Sequence, residues 1–294
     1  MDLIIRSPRI PKPGETIIGS SFLTAPGGKG ANQSVAAARA GGRVYHVGRV
    51  GKDEFGGVLL SKMSADNVNC GNILVDKKHA TGVALIVVED SGENSIVVAS
   101  GANMQVSPKD VDNLKDLISS AEVLLLQLEI PIDTVVLAAS IAHQSGCRVV
   151  LNPAPAQSLP PELLQNVDIL IPNESETNML TGLPVDAQTQ LESAALKLLD
   201  SGIATIIITL GERGAQLIQR DRSTLIPPFE VNPVDTTAAG DAFVGAFAAA
   251  LAGGESMEQA VLWGNAAGAL AATKLGAQPS LPRREELNRM LQEI

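Results

Sequence analysis

Aromatic side chains are scarce in this chain: only 2% of its 294 residues are Phe, Tyr or Trp. Its core must therefore be built from Ala, Val, Leu and Ile. Cysteine is almost absent, and Cys70 and Cys147 have no CxxC spacing, which excludes a disulfide framework. The three histidines, His46, His79 and His143, are scattered and make no metal pattern. No basic-then-apolar leader opens the chain, and no uncharged apolar run reaches about 18 residues, so neither a secretion signal nor a membrane span is read. These absences point to a cytoplasmic globular protein. Positive charge is also short, with 22 Lys and Arg against 32 Asp and Glu and a formal net charge of −10. That balance argues against nucleic acid or an anionic membrane as a partner. It does not argue against a nucleotide, because a phosphate pocket is local.

What is present is a chain that is 45% hydrophobic, with 27 glycines and enough length to bury a large α/β core. From Val111 onward, short apolar runs alternate with helical periodicity. Strands are expected at 123–126, 148–151, 169–171 and 205–209, and helices at about 109–119, 132–144, 174–181 and 187–200. Two-sided apolar strands alternating with helices indicate a mostly parallel sheet covered on both faces. Ligands on such sheets gather beyond the carboxyl ends of the strands. Gln127, Glu129, Asn152, Asn173, Glu176, Thr209, Gly211 and Gly214 stand at those ends. Each alone also fits a loop cap.

Upstream, strands are expected at 44–47 and 72–75 with a helix at 54–66 between them. A ribbon over 15–23 with a turn at Gly19-Ser20, and a hairpin over 82–99 turning at 90–92, would form a small separate sheet. Such a sheet beside a ligand loop is a lid. Two strands at 215–219 and 224–227 precede helices at about 241–252, 256–272 and 284–292, and a loop over 274–282 could offer carbonyls to a cation. The expectation is one domain, 1–294, with a lid.

Two glycine-marked helix starts carry the chemistry. Gly27, Gly28 and Gly30 remove side chains where a helix begins, so a ligand could approach the backbone there, or the chain could simply turn tightly. No GxGxxG or P-loop pattern is present, since Lys29 is followed by Gly30. The stretch from Val234 to Ala252 passes through Asp235, Thr236, Thr237, Ala238, Ala239, Gly240 and Asp241 before turning apolar on nearly every face. Small residues before a helix leave first-turn amides open to an anion. Asp241 reads either as a capping carboxylate or as an ionised base beside that anion hole, a pairing that suits phosphoryl transfer to a hydroxyl.

Gly27-Gly28-Lys29-Gly30-Ala31-Asn32-Gln33, Asn173-Glu174-Ser175-Glu176 and Asp235 through Asp241 resemble the signatures of the ribokinases, a family of PfkB-type sugar kinases. The segments LNPAP at 151–155, ITLG at 208–211 and GAQPS at 276–280 extend the likeness along the chain. The resemblance implies a three-layer α/β sandwich with a β-clasp lid, a homodimer formed through the lids, and ATP-dependent phosphorylation of the ribose 5-hydroxyl. It makes Asp241 the general base, with Gly240 in its anion hole. Asp2, Gly28, Lys29, Gly30, Ala31, Asn32 and Glu129 match sugar contacts. Asn173, Thr209, Leu210, Gly211, Glu212, Arg213, Gly214 and Asn265 match nucleotide contacts, and Glu176 the acidic group that organises magnesium indirectly. Asp235, Thr237, Ala271, Lys274, Gly276 and Ser280 match a loop for an activating potassium ion.

One departure stands out. The family pattern has an inner strand and an Asn ahead of the position matched by Asp2, and here only Met1 precedes it. The first strand of the sheet is therefore expected to be missing, with coding sequence for it upstream. Asp2 is expected to sit on a fraying end that impairs the kinase. A kinase for another sugar or nucleoside, or a non-catalytic sugar-binding protein with an incomplete pocket, are the competing readings.

Overall fold

The computed structural model describes residues 1–91 and 93–292, so Gly92 of the expected turn at 90–92 lies outside the described residues. The apolar runs form the strands. In chain order they are β1 Asp2–Ser7, β2 Ser21–Ala25, β3 Tyr45–Gly51, β4 Asn69–Asp76, β5 Val83–Glu89 and β6 Asn94–Ala99. β7 Val123–Leu126, β8 Arg148–Leu151, β9 Ile169–Leu170, β10 Thr205–Thr209, β11 Ala215–Ile218 and β12 Ser223–Ile226 follow. The helices are α1 Lys29–Arg39, α2 Glu54–Ala65, α3 Pro108–Asp112, α4 Lys115–Ser119, α5 Ile132–Ser145 and α6 Pro161–Leu164. They continue as α7 Glu174–Thr181, α8 Gln188–Leu199, α9 Ala239–Ala252, α10 Met257–Ala272, α11 Ala277–Ser280 and α12 Arg284–Leu291.

The main sheet has the order β12-β11-β10-β9-β8-β7, parallel from β7 to β10 and antiparallel across β10, β11 and β12. Successive side chains on a strand point to opposite faces, so each apolar strand feeds two cores. Ile207, Val150 and Ile169 pack with α1, α9 and α10, while Ile206, Ile208, Val149, Leu151 and Leu170 pack with α5 and α8. These are the layers of an α/β sandwich. The small residues decide how closely they meet. A Cβ added at Gly245 on α9 would stand 2.5 Å from both Ala36 Cβ and Gln33 O on α1. Only glycine lets those two helices cross at this distance.

β3 and β4 form a separate parallel pair. Among the described residues, β3 pairs only with β4 and β7 only with β8. The start of α1 lies over this interruption. Ser34 Oγ and His46 Nδ1 of β3 are 2.8 Å apart, and Gln127 Nε2, just past β7, donates to Gln33 Oε1 at 2.6 Å. No described strand completes the ladder between the two pieces.

The small sheet expected as a lid departs from expectation. It is a four-stranded sheet of order β2-β1-β5-β6, and the expected ribbon over 15–23 is not a hairpin. Residues 15–20 form no strand, and β2 at 21–25 pairs antiparallel with β1. Pro11, Pro13 and Gly14 keep the intervening segment irregular, because proline lacks an amide to give to a ladder. The expected fraying of Asp2 is also corrected. Asp2 lies opposite Ala25 on one side and Ala84 on the other, so its strand is held by neighbours along both edges. The expected loop at 274–282 contains the single helical turn α11, and the helix expected over 109–119 is broken into α3 and α4.

Candidate active site

Two helix N-termini meet the carboxyl ends of the strands at one place. α1 starts after Gly28, whose φ of 95° favours glycine, and it has no side-chain cap. Glu129, just past β7, supplies the missing acceptor: Lys29 N donates to Glu129 Oε2 at 2.9 Å. At Gly27 the Asp2 carboxylate occupies the space a Cβ would need, so a side chain there would displace Asp2. Gly30 is similarly hemmed, 2.9 Å separating its would-be Cβ from Gln127 Oε1. The glycine loop is thus walled by Asp2, Glu129 and Gln127, each carrying acceptor oxygens.

α9 also starts without a side-chain cap, and nothing lies within 4 Å of where a Gly240 Cβ would stand. Its first-turn amides have no intrahelical partner, so an anion can reach them. Asp241 follows, buried at 8% exposure. Asn32 Nδ2 donates to its Oδ2 and Gln33 Nε2 to its Oδ1, both at 2.9 Å. Burial pushes the Asp241 carboxyl up from the usual range, while the Lys29 charge and the two amide donors pull it back. Asn32 Oδ1 is buried and has no partner. A buried acceptor without a donor is costly, and a ligand hydroxyl could supply that donor.

Burial likewise raises the carboxyls of Asp2, Glu129 and Glu176. Lys29 is the cation that counters the rise at Glu129, Glu176 and Asp241. One ammonium therefore acts on three carboxyl groups that lie far apart in the sequence.

The expected nucleotide residues gather at neighbouring strand ends. Asn173 caps α7 in a reciprocal box: Glu176 N donates to Asn173 Oδ1 at 2.8 Å, and Asn173 N donates to Glu176 Oε2 at 2.9 Å. Asn173 also bridges Thr209 in parallel fashion. Leu210 N donates to Gly214 O at 2.8 Å, closing a tight 3₁₀ turn over Gly211, Glu212 and Arg213. Gly211, at φ 60°, and Gly214, at φ 86°, give this turn its backbone. Arg213 pairs with Glu174 across to α7. Asn265 lies apart from this group in role: its Nδ2 donates to Ile226 O at 3.1 Å and Pro227 O at 2.8 Å, pinning the exit of β12.

The residues expected to form a cation loop are also brought together. Asp235 joins both loops, accepting from Thr237 N at 2.9 Å and Gly276 N at 2.8 Å. Ser280 is buried, with Oγ donating to Ala277 O at 2.8 Å, and Lys274 N donates to Ala271 O at 3.1 Å. The Lys274 ammonium is drawn away by Glu286 at 2.6 Å. Among the described residues, no group of three or more His, Cys, Asp and Glu side chains could hold a metal alone.

A family model for the pfkB family carbohydrate kinases matches residues 1–284. The chain belongs to that family. It is 44% identical over 285 residues to the ribokinase of Haemophilus influenzae, covering 97% of this chain and 93% of that protein. It is 37% identical over 292 residues to the deoxyribokinase of Salmonella typhi, covering 99% and 95%. The solved structure of Arabidopsis thaliana ribokinase complexed with ribose and ATP superposes with a TM-score of 0.93 at 32% identity, covering 99% and 95%. The pfkB-family fold agrees with the expected three-layer sandwich, and the enzyme is a carbohydrate kinase. No helix among the described residues is long and apolar enough to cross a membrane.

Sequence reasoning named Gln127 and Asn152 only as strand-end polar groups, and Gln33 only as part of the glycine loop. In the structure Gln33 is fully buried and bonded to Gln127, Asn152 and Asp241. Its position four residues past Lys29, on the helix face that meets α9, was the available signal.

Proposed function

We propose that this pfkB-family kinase transfers the γ-phosphoryl group of ATP to the 5-hydroxyl of D-ribose, with Asp241 as general base. The observation that carries the reading is Asp241 itself: a buried carboxylate held by two amide donors, beside the uncapped amides of α9 and the unpartnered Asn32 Oδ1. Sugar hydroxyls donate to Asn32 Oδ1, Asp2 and Glu129, and the backbone at Gly28, Lys29, Gly30 and Ala31 lines the same wall. Asp241 accepts the proton of the attacking hydroxyl, and the amides of Gly240 and Asp241 receive the phosphoryl charge as it moves. ATP lies along Asn173 and the turn from Thr209 to Gly214, with Asn265 shaping the base side. The identity to curated ribokinases and the likeness to a ribose and ATP complex support the substrate pair.

The test is an ADP-release assay over ribose, 2-deoxyribose, hexoses and nucleosides. Ribose is expected to give the highest kcat/KM. A preference for 2-deoxyribose, which the likeness to a deoxyribokinase makes the informative rival, would replace the substrate while keeping the mechanism. Binding of sugar with no turnover on any member would leave a sugar-binding protein.

Glu176 is the group suited to organising Mg²⁺, which when bound would neutralise phosphate charge. Its carboxylate, one oxygen of which accepts from Asn173 N at the cap of α7, fits a role through water. Carbonyl, hydroxyl and carboxylate oxygens at Asp235, Thr237, Ala271, Lys274, Gly276 and Ser280 make a donor set of the hard-oxygen kind that K⁺ takes. Burial works against the charge of Asp235, yet bonds from Thr237 and Gly276 outweigh it and hold its carboxyl below the usual range. The ion would shape the loop that leads into α9 rather than touch substrate. Potassium is expected to raise the rate; equal rates in potassium and in a bulky organic cation at matched ionic strength would remove this role.

The lid is placed to close over the sugar and to dimerise. On β1, β2, β5 and β6 the face opposite Asp2 carries Ile5, Phe22, Leu85 and Val97, of which Phe22 and Val97 are each 65% exposed. That is an apolar sheet face without cover, and a second copy of the lid would bury it. Ribose is expected to slow hydrogen exchange in 2–7 and 83–99, and light scattering to give a dimer. Unchanged exchange would sink closure, and a monomer would sink the lid interface. A cytoplasmic location accords with two free cysteines.

A further inference from the structure

Gln33 is fully buried beneath the proposed base, and its hydrogen bonds form a directed chain. At one end, Asn152 Nδ2 donates to the backbone carbonyl of Ile171 at 2.9 Å. A carbonyl can only accept, so Asn152 must turn its Oδ1 toward Gln33. Gln33 Nε2 donates to that oxygen at 3.0 Å and to Asp241 Oδ1 at 2.9 Å. Its own oxygen is taken by Gln127 Nε2 at 2.6 Å. Turning the Gln33 amide over would set its oxygen against both Asn152 Oδ1 and the Asp241 carboxylate, and its nitrogen against the Gln127 donor. The contacts with Asn152 and Asp241 would become repulsive, and the third would too unless Gln127 turned with it. The orientation facing Asp241 is therefore held by groups just past the ends of β7, β8 and β9 that never touch the carboxylate.

We propose that Gln33 is a positioning residue for Asp241, and that Gln127, Asn152 and the Ile171 carbonyl set the direction in which its amide donates. The proposal rests on the reading of Asp241 as the base. Its consequence is a carboxylate locked in rotation, one oxygen toward Gln33 and the other toward Asn32, so that one lone pair faces the incoming hydroxyl. The same donor lowers the proton affinity of a group that burial raises. The other charged groups acting on Asp241 are Lys29 of α1, Asp2 of β1, Glu129 beyond β7 and Glu176 of α7, none of which the variants below remove.

The test uses Gln33→Met, of similar length without a donor, and Gln127→Met, which removes one of the three contacts that hold the Gln33 amide while altering a half-buried side chain. The amide bond favours the ionised carboxylate, so its loss raises the pKa further. Since only the ionised base works, the acid limb of the kcat/KM profile should move to higher pH, by about one unit for Gln33→Met and less for Gln127→Met. At neutral pH kcat should fall about tenfold for Gln33→Met with KM for ATP within about twofold, and raising the pH should recover part of the loss. The ¹³C titration of the Asp241 carboxyl, assigned with Asp241→Asn, should show the same displacement without any turnover. That separates the two claims: a displaced titration with no sugar kinase activity keeps the positioning and removes the function. Normal wild-type turnover with an undisplaced titration in both variants overturns the positioning. A lower rate with an unmoved acid limb assigns Gln33 to packing alone and overturns it too.

Discussion

Asp241→Asn lowers kcat by about 10²–10⁴-fold and leaves ATP affinity within about twofold. The substitution conserves shape and removes both the proton acceptor and the charge. It also puts an amide nitrogen where one of two donors already points. Asn32 Nδ2 and Gln33 Nε2 each need an acceptor, and an Asn at 241 offers only one oxygen. Gln33 cannot turn without opposing Asn152 and Gln127, so Asn32 is the side chain expected to yield. Sugar binding should therefore weaken somewhat along with the chemistry. Nucleotide binding should not, because Asn173 and the Thr209–Gly214 turn sit on α7 and β10 and do not bond Asp241. Steady-state kinetics with calorimetric titration of an unhydrolysable ATP analogue checks both halves. A variant retaining more than about a tenth of wild-type kcat is inconsistent with general-base catalysis by this residue.

The strands that carry the site were legible because their residues are apolar on both sides. β8 and β10 need no alternation, and the polar groups that end them, Asn152 and Thr209, mark where the sheet stops and a ligand can begin. The two helix starts were legible for a different reason: glycine before an apolar run says that a side chain is unwanted there. The small four-stranded sheet was only half legible. Asp2 was expected to fray, and nothing in Asp2–Ser7 says that it pairs with β2 and β5 rather than with the main sheet. Pairing partners are set by where the chain is tied, and the ties are long-range. Asp53 accepts from Thr81 N at 2.7 Å and from Thr81 Oγ1 at 2.6 Å, fixing the entry of β5 to the start of α2. Such bonds leave no local periodicity.

The amide chain under Asp241 was hidden for the same reason. Gln33, Gln127 and Asn152 are 94 and 119 residues apart along the chain from the first. Each alone reads as solvated or as a cap. Only the burial of Gln33 between α1 and α9 shows that its amide must be satisfied from inside.

The contact that creates that burial yields the largest expected loss of stability. Gly245→Ala should destabilise the protein by about 3 kcal/mol, a fall in Tm of about 6–10 °C, and should lower kcat in the folded fraction. In an exposed helix the same change would stabilise by up to about 1 kcal/mol, because alanine is the better helix former. Here the added Cβ meets Ala36 Cβ and Gln33 O at 2.5 Å, and Ala37 N at 2.9 Å. Two of those atoms are backbone, so no rotamer change relieves the overlap. α1 must move away from α9 by a fraction of an ångström or more. Asn32 and Gln33 travel with α1 while Asp241 stays on α9, so both 2.9 Å bonds to the base lengthen together. The defect should thus be catalytic as well as thermal: kcat measured well below the melting transition falls, with KM for ATP unchanged. A melting temperature at or above wild type would show that the helices separate without cost. A full wild-type kcat in the folded enzyme would show that the position of α1 does not govern the base.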